Sequence, residues 1–422
     1  MYIQDEWPEG PNGTSYDGLG LWKLLQNGES PFRQQWDVAL LVKEVEEATA
    51  AKVRDIPLVS CGANYYGFHF ELENHPPVLA RLARGDVNMP DFDGFPLEKQ
   101  IPEVQFEAAV YSLARDSPVL PVPHLIRHRM PVRSDGPHLN PPIDISGRRL
   151  MLFEKESDSR VNWRQLNEPQ QDAIITQAAG LRAALYNLEL TGGFDQEWFL
   201  ARLFEQKPSS LPIPVAPTRE FCLTLLTAKI NATIRNIGDM IGWESDNATV
   251  GPIAAAAKQS LLRLIPHILP ADDGRGSLYR LVLEHGDFGI HNMTISIDPI
   301  TSEALITSLY DWETGCITPA LLSDLEMAVI VDLNVDANAS PTVSRMKADS
   351  TKEELETYAK WARSYTTTLF NQVRDYKSAI LAGKDARHLW FALRDWRGQD
   401  PEGYFGSLGD WAEKRLKEMG KE

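Results

Sequence analysis

The feature that most constrains this chain is a short block late in the sequence. Leu283-Glu284-His285-Gly286-Asp287-Phe288-Gly289-Ile290-His291-Asn292-Met293 is followed by Leu309-Tyr310-Asp311-Trp312-Glu313. Four residues separate Asp287 from Asn292, so one loop can turn back and aim a carboxylate and an amide into the same cavity. Patterned segments flank the loop. Leu278 to Leu283 is a largely apolar lead-in, Met293-Thr294-Ile295-Ser296-Ile297 alternates with period two, and Ala304 to Tyr310 reads as a second strand ending at Asp311. Asp298-Pro299-Ile300-Thr301-Ser302 between the two strands carries turn residues. The reading is loop, strand, turn, strand and a terminal aspartate.

The order aspartate, asparagine, aspartate suits metal-assisted phosphoryl transfer. A hydroxyl attacking phosphorus must lose a proton to a nearby carboxylate, and Mg²⁺ takes oxygen ligands such as an asparagine carbonyl and a carboxylate. The block resembles the kinase loop H-R-D-x-x-x-x-N and the aspartate-led motif after it. His285-Gly286-Asp287 stands for H-R-D, and Asp311-Trp312-Glu313 for D-F-G. This variant form resembles the aminoglycoside phosphotransferase and choline kinase family, especially its fungal "phosphotransferase enzyme family" branch. The resemblance implies an α+β, two-lobed protein-kinase-like fold, with a small β-rich N-lobe, a larger mainly helical C-lobe and ATP in the cleft. It makes Asp287 the residue that accepts or orients the hydroxyl proton, and Asn292 and Asp311 the Mg²⁺ ligands. His285 reads as ordering the loop, and His291 as structural or a phosphate neighbour. Glu313 reads as a solvated or strand-capping residue, or as one reaching metal through water.

Further expectations follow along the chain. Residues 1–35 are polar and Gly/Pro-rich, a tail or an irregular arm laid over the N-terminal lobe, and Ala39 to Ala51 reads as a helix. Ile56 to Leu72 reads as strand, turn, strand, with Phe68, Phe70 and Leu72 on one face, and Val78 to Arg84 as a third strand. Gly62, Ala63 and Asn64 in the turn resemble the family's shortened phosphate loop, where small residues let backbone N–H groups approach phosphate. Ala80-Arg81-Leu82-Ala83 matches the "A-R-I-P"-like strand of the fungal branch, so phosphate anchoring is carried to Arg81, with Arg84 as runner-up. Arginine keeps its charge and can hold phosphate bidentately. A helix over Pro102 to Asp116 places Val104, Glu107, Val110, Tyr111 and Ala114 close to one face. A carboxylate on an apolar stripe needs a partner; by resemblance to the helix glutamate that pairs with the strand cation in kinases, and by its distance from the "I-P-V-P"-like Val119-Leu120-Pro121-Val122-Pro123, Glu107 is chosen to pair with Arg81, with Glu103 as the alternative. Loops are read over Gly85 to Pro96 and Pro131 to Pro142. Arg149 to Lys155 resembles the strand entering the interlobe hinge, which brings Phe153 and Glu154 to the adenine. The division is therefore expected as 1–153 and 154–422. The second part is read as mainly helical, with helices over Gln170–Leu190, Phe221–Ile241, Ile253–Ile268 and Lys352–Leu381. By resemblance, Asp324 would brace the catalytic loop.

Composition narrows the class. A chain of 422 residues can hold two sizeable cores. A net charge of −17 argues against a nucleic-acid partner, which requires a basic face. Three dispersed cysteines show no disulfide framework or zinc spacing. The first residues lack a basic-then-apolar signal pattern, and no apolar run approaches ~18–20 residues, so a cytoplasmic protein without a membrane partner is expected. The leading function is an ATP- and Mg²⁺-dependent transfer of phosphate to a hydroxylated small molecule. The alternative is a kinase-like scaffold repurposed as a non-phosphorylating enzyme or binding protein in secondary metabolism. The absent strand lysine and sparse glycine loop permit it; the Asp287, Asn292 and Asp311 set argues against it.

Overall fold

The computed structural model describes all residues except 1–5, 11, 86–96, 116, 132–144, 156–160, 191–198, 200–207, 235–243, 273–275, 397–400 and 422. The chain forms two compact units. The first comprises Met1–Arg160 and Thr307–Glu313, the second Val161–Ile306 and Thr314–Glu422. A division near Glu154 makes no provision for this returning segment, which carries Asp311 into the first unit. The first unit is rich in β structure and the second mainly helical, the α+β architecture expected.

In the first unit, β1 (Val53–Cys61), β2 (Tyr65–Leu72), β3 (His75–Ala83), β4 (Leu125–Arg129) and β5 (Leu150–Glu154) form one sheet, ordered β1-β2-β3-β5-β4. Every neighbouring pair is antiparallel. Period-two alternation sends Tyr66, Phe68, Phe70 and Leu72 of β2, Val78, Ala80 and Leu82 of β3, and Leu150 and Leu152 of β5 into one core. The Phe, Leu and Val side chains among them each contribute roughly 1.5–3 kcal/mol by leaving water. The N-terminal arm completes this core. It carries α1 (Leu21–Gln26) and a 3-10 turn at Pro31–Gln34, and it buries Tyr16, Leu21, Phe32 and Trp36 against the sheet. It also covers the β1 edge: the Gly20 N–H donates to the Pro57 carbonyl at 3.1 Å and the Val59 N–H to that of Gly18 at 2.7 Å. Edge strands left open invite pairing with other chains.

α2 (Val38–Thr49) starts at Asp37, whose carboxylate accepts the Ala39 N–H at 2.9 Å, a cap of about 1 kcal/mol. α3 (Leu97–Arg115) begins five residues before the expected Pro102 and continues through that proline, which removes one backbone donor. Val104, Glu107, Val110, Tyr111 and Ala114 are all buried. The loop stretches expected over 86–96 and 132–142 lie outside the described residues.

In the second unit, α4 (Glu168–Asn187) opens with a reciprocal capping box between Asn167 and Gln170 and packs against α7 (Lys352–Gln372). α5 (Arg219–Thr233) and α6 (Glu244–Ile268) follow α4, while the part of the expected helix at 235–241 lies outside the described residues. β6 (Leu281–Glu284) pairs antiparallel with β9 (Cys316–Pro319). β7 (Met293–Ile297) and β8 (Ala304–Leu309) form a two-stranded ribbon closed by Asp298, whose Oδ1 accepts the N–H groups of Ile300 and Thr301. A three-stranded meander, β10 (Met327–Ala328), β11 (Asp332–Val335) and β12 (Pro341–Ser344), was not anticipated. Strands of two to four residues are too short to show a period.

The single helix expected over Lys352–Leu381 is instead two, α7 and α8 (Arg374–Ala382). Val373 adopts φ −135° and ψ 84° between them and is buried, so the break lets the chain turn while its apolar stripe stays inside. α9 (Lys384–Asp395) and α10 (Pro401–Glu418) complete the unit. Trp390, Trp396 and Phe405 are core residues. Among the described residues no helix is long and apolar enough to cross a membrane.

Candidate functional site

In the first unit, strand alternation turns Arg81 to the face opposite Ala80 and Leu82. There its guanidinium meets two carboxylates. Nη1 lies 3.3 Å from Glu107 Oε1 on α3, and Nη2 lies 2.7 Å from Asp311 Oδ1. Burial disfavours the charge on Arg81, but Glu107 and Asp311 together hold it charged well above the ordinary range. Asp311 has φ 68°, a left-handed backbone that aspartate tolerates better than most residues. Its N–H donates to the Tyr111 hydroxyl at 3.1 Å. Glu103, the alternative partner, sits 3.9 Å from Arg149 instead. Arg84 donates to the Gly62 carbonyl at 3.2 Å.

The turn between β1 and β2 is closed by the Gly62 N–H on the Tyr65 carbonyl at 2.8 Å. Asn64 Nδ2 donates to Glu313 Oε1 at 2.6 Å. Phe153 is buried with its ring edge-on to Tyr111, centroids 4.9 Å apart. Glu154 ends β5; its N–H donates to the His124 carbonyl at 2.9 Å and its carboxylate meets His124 Nδ1 at 3.0 Å. That N–H is therefore committed within the sheet.

In the second unit, the chain leaves β6 through a buried His285 and turns at Gly286, φ 78°. The backbone of Thr314, just before β9, runs so close that a Cβ at Gly286 would lie 1.9 Å from its carbonyl oxygen. Thr314 Oγ1 donates to the His285 carbonyl at 3.2 Å. A 3-10 turn over Ile290–Asn292 then folds the loop back. Asn292 Nδ2 donates to the Asp287 carbonyl at 2.9 Å and to Asp287 Oδ2 at 3.1 Å. His291 Nε2 meets the same Oδ2 at 2.9 Å. The His291 hydrogen bond comes first among the causes that hold Asp287 below the ordinary carboxylate range. With its NH₂ fixed toward Asp287, the Asn292 amide turns its carbonyl oxygen the other way.

Beside this loop lies a cavity of about 230 Å³ lined by Asp287, Glu284, Asp324, Glu326, Asp395, Arg182 and Arg394, among others. Glu284 is buried and accepts the Asp324 N–H at 2.8 Å. Burial, with the Asp324 charge adding to it, pushes Glu284 up to about 7. Glu326 is likewise raised to about 7, first by burial and then by Asp324 and Asp332. Burial would raise Asp324 too, but the Arg394 guanidinium, 2.7 Å from Oδ2, brings it below the ordinary range. Asp324 therefore touches the β6 end through its backbone N–H, while its carboxylate serves Arg394. Arg182 donates to the Glu326 carbonyl at 2.6 Å and lies over the Phe288 ring at 4.3 Å.

These shifts carry a pH dependence. A carboxyl whose folded pKa is raised binds its proton more tightly in the folded state, so stability falls as pH climbs from about 4.5 to about 7. The second unit is expected to melt at a lower temperature at pH 7.5 than at pH 5. Glu284→Gln, which keeps an acceptor for Asp324, should flatten that slope. An unchanged slope in thermal melts across this range would sink the assignment.

The structure thus brings Arg81, Glu107 and Asp311 together in one unit, and Asp287 and Asn292 together in the other. Phe153 meets the first cluster through Tyr111, while Glu154 is bonded to His124. Sequence reasoning missed Glu284, Arg182, Arg394 and Glu326, the His291 contact, and the partner of Glu313. One signal was present: Arg182 interrupts the apolar stripe of Ile174, Ala178, Leu181 and Leu185, and a buried charge needs a local reason.

Among the described residues no group of three or more His, Cys, Asp or Glu is placed to hold a metal. Asp311 in the first unit and Asn292 in the second each carry an oxygen donor of the hard type that Mg²⁺ takes. Among solved structures, the chain is similar to a Ralstonia eutropha protein assigned as an aminoglycoside phosphotransferase, with 13% identity and a TM-score of 0.39 over 90% of this chain and 99% of that one. A Thermobifida fusca protein assigned as a fructosamine-3-kinase gives 14% and 0.42 over 90% and 100%. Spectinomycin phosphotransferase, solved with ADP and spectinomycin, gives 10% and 0.36 over 89% and 98%. No family model and no curated protein sequence matches the chain. Identities of 10–14% single out no family among these kinases.

Proposed function

We propose that the chain is an ATP-dependent phosphotransferase that acts on a hydroxyl group of a small molecule. The observation that carries this reading is the Arg81 guanidinium shared between Glu107 and Asp311, residues 26 and 230 positions away in sequence. A buried cation held by two carboxylates is costly to assemble, and phosphate anchoring beside a metal ligand gives it a use. Arg81 would anchor the phosphates, the Gly62–Asn64 turn would cover them, and Asn292 and Asp311 would hold Mg²⁺. When bound, Mg²⁺ supplies charge neutralisation for the phosphates.

Asp287 would accept or orient the proton of the acceptor hydroxyl. Two hydrogen bonds fall on its Oδ2, which fixes the carboxylate and would leave Oδ1 to meet the hydroxyl. The adjoining cavity would take the acceptor. Its lining carries five carboxylates against two guanidiniums, which favours an acceptor that donates hydrogen bonds. Most of the rate enhancement would come from positioning and electrostatic stabilisation.

The test is nucleotide binding followed by turnover. Mg·ATP is expected to raise the melting temperature of the wild type, by the equivalent of roughly 2.7 kcal/mol at one hundred times Kd. Asp311→Asn, which tolerates the left-handed backbone, should lose most of that shift. A protein stabilised by neither ATP nor GTP would sink the proposal and favour the repurposed scaffold.

A further inference from the structure

We infer that Glu313 is a positioning residue that holds the Gly62–Asn64 turn in place for nucleotide through its hydrogen bond from Asn64; the inference rests on the function proposed above. The turn joins two strands and its residues Gly62 and Ala63 are exposed. Such a segment loses conformational entropy when it is ordered. Three contacts order it. The Gly62 N–H donates to the Tyr65 carbonyl at 2.8 Å. Arg84 clamps both ends, its backbone N–H on the Asn64 carbonyl at 3.0 Å and its guanidinium on that of Gly62 at 3.2 Å. These contacts are local to β1, β2 and the end of β3 and set the shape of the turn.

The third contact is of another kind. Asn64 Nδ2 reaches Glu313 Oε1 at 2.6 Å, across 249 positions of sequence. Glu313 stands two residues after Asp311. Trp312 between them is fully buried, and its indole N–H donates to the Leu309 carbonyl at 3.3 Å. The segment is therefore pinned, and the Glu313 carboxylate is presented from a fixed base. Asp311 is itself held by Arg81 and Tyr111. A continuous path of contacts runs from the turn through Glu313 and Asp311 to the phosphate-anchoring guanidinium.

The chemistry of the pair is directional. An amide N–H₂ donating to a carboxylate makes a charge-assisted bond, stronger than one between neutral groups. An aspartate at position 64 would instead repel Glu313. Ordering the turn before nucleotide arrives removes a cost that binding would otherwise bear, and it couples the turn to the segment that carries the metal aspartate. Glu313 thus acts through Asn64, without a required contact to phosphate or metal.

The test is a double-mutant cycle read in the dissociation constant of Mg·ATP, measured by calorimetry without acceptor. Asn64→Ala and Glu313→Ala are each expected to weaken binding about 10-fold, and the double variant also about 10-fold, because both remove one bond. Glu313→Gln, whose carbonyl can still accept from Asn64, should stay within about 3-fold of wild type. A double variant weakened about 100-fold, the product of the single effects, would overturn the inference by showing independent action. Glu313→Gln as damaging as Glu313→Ala would overturn it too, since the charge itself would then be what matters. If Glu313→Ala does not fold by circular dichroism, Glu313→Met closes the cycle. Wild type that binds no Mg·ATP brings down both readings; wild type that binds with an additive cycle brings down this one alone.

Discussion

Asp287→Asn is expected to lower the turnover number by about 10³-fold, within the 10²–10⁴ range for loss of a positioned acid–base group. Mg·ATP binding and the melting temperature should change little. The substitution keeps the shape of the side chain and an oxygen that Asn292 and His291 can bond, so the loop has no steric reason to move. What it removes is the negative charge that takes up or orients the hydroxyl proton. The wild-type pH profile sharpens the test. Hydrogen bonding from His291, and then from Asn292, keeps Asp287 below the ordinary carboxylate range. The carboxylate should therefore stay ionised through pH 5–7, and activity owed to it should fall only below that window. His291→Ala should move that acid limb toward higher pH. Steady-state kinetics on an accepted substrate decide the matter: a variant keeping a tenth or more of wild-type turnover would remove Asp287 from the chemistry.

Gly286→Ala should destabilise the second unit by about 3–4 kcal/mol and abolish activity with it. Two costs add. A left-handed φ of 78° penalises any L side chain by about 1 kcal/mol. The new Cβ would also meet the Thr314 carbonyl oxygen at 1.9 Å. The oxygen is backbone and the Cβ is fixed by its bond to Cα, so neither can swing aside as the end of a flexible side chain could. Relief requires moving the β6 end from the β9 start, which disturbs the loop that carries Asp287. Gly276→Ala is the control in the same unit: φ is 70°, but nothing lies within 4 Å of its Cβ, so only the conformational cost of about 1 kcal/mol applies. Urea melts of both variants separate the two costs. Equal losses would show that the close approach of Thr314 is relieved without strain.

Much of the local structure was legible from residue order. Alternation in Tyr65–Leu72 was enough to orient the sheet face, because a strand half in the core must place every second residue inward. The turn residues of Asp298–Ser302 and the apolar stripe of α4 follow equally local rules. The two-helix break at Val373 was not legible, since the apolar spacing from Leu369 to Ile380 continues helically across it. The N-terminal arm was legible as a segment laid over the first unit, but its polar, Gly-rich composition did not show which residues anchor it: the burial of Tyr16, Phe32 and Trp36 depends on a sheet formed later in the chain.

The candidate site divides along the same line. Local spacing alone determined that Asp287 and Asn292 could share a cavity, because four intervening residues permit little else once the loop folds back. It also determined that Glu107 on an apolar helix face required a cation. The resemblance, not local spacing, named Arg81 as that cation; tertiary structure set the pair at 3.3 Å and decided that Asp311 shares it, because an ion pair across 230 residues leaves no trace in local pattern. It decided as well that His291 bonds Asp287, that Glu284 is buried beneath the loop, and that Glu313 holds Asn64. Charges of this kind are placed by the packing of elements remote in sequence, whose free energies are collective and are settled only when the core closes.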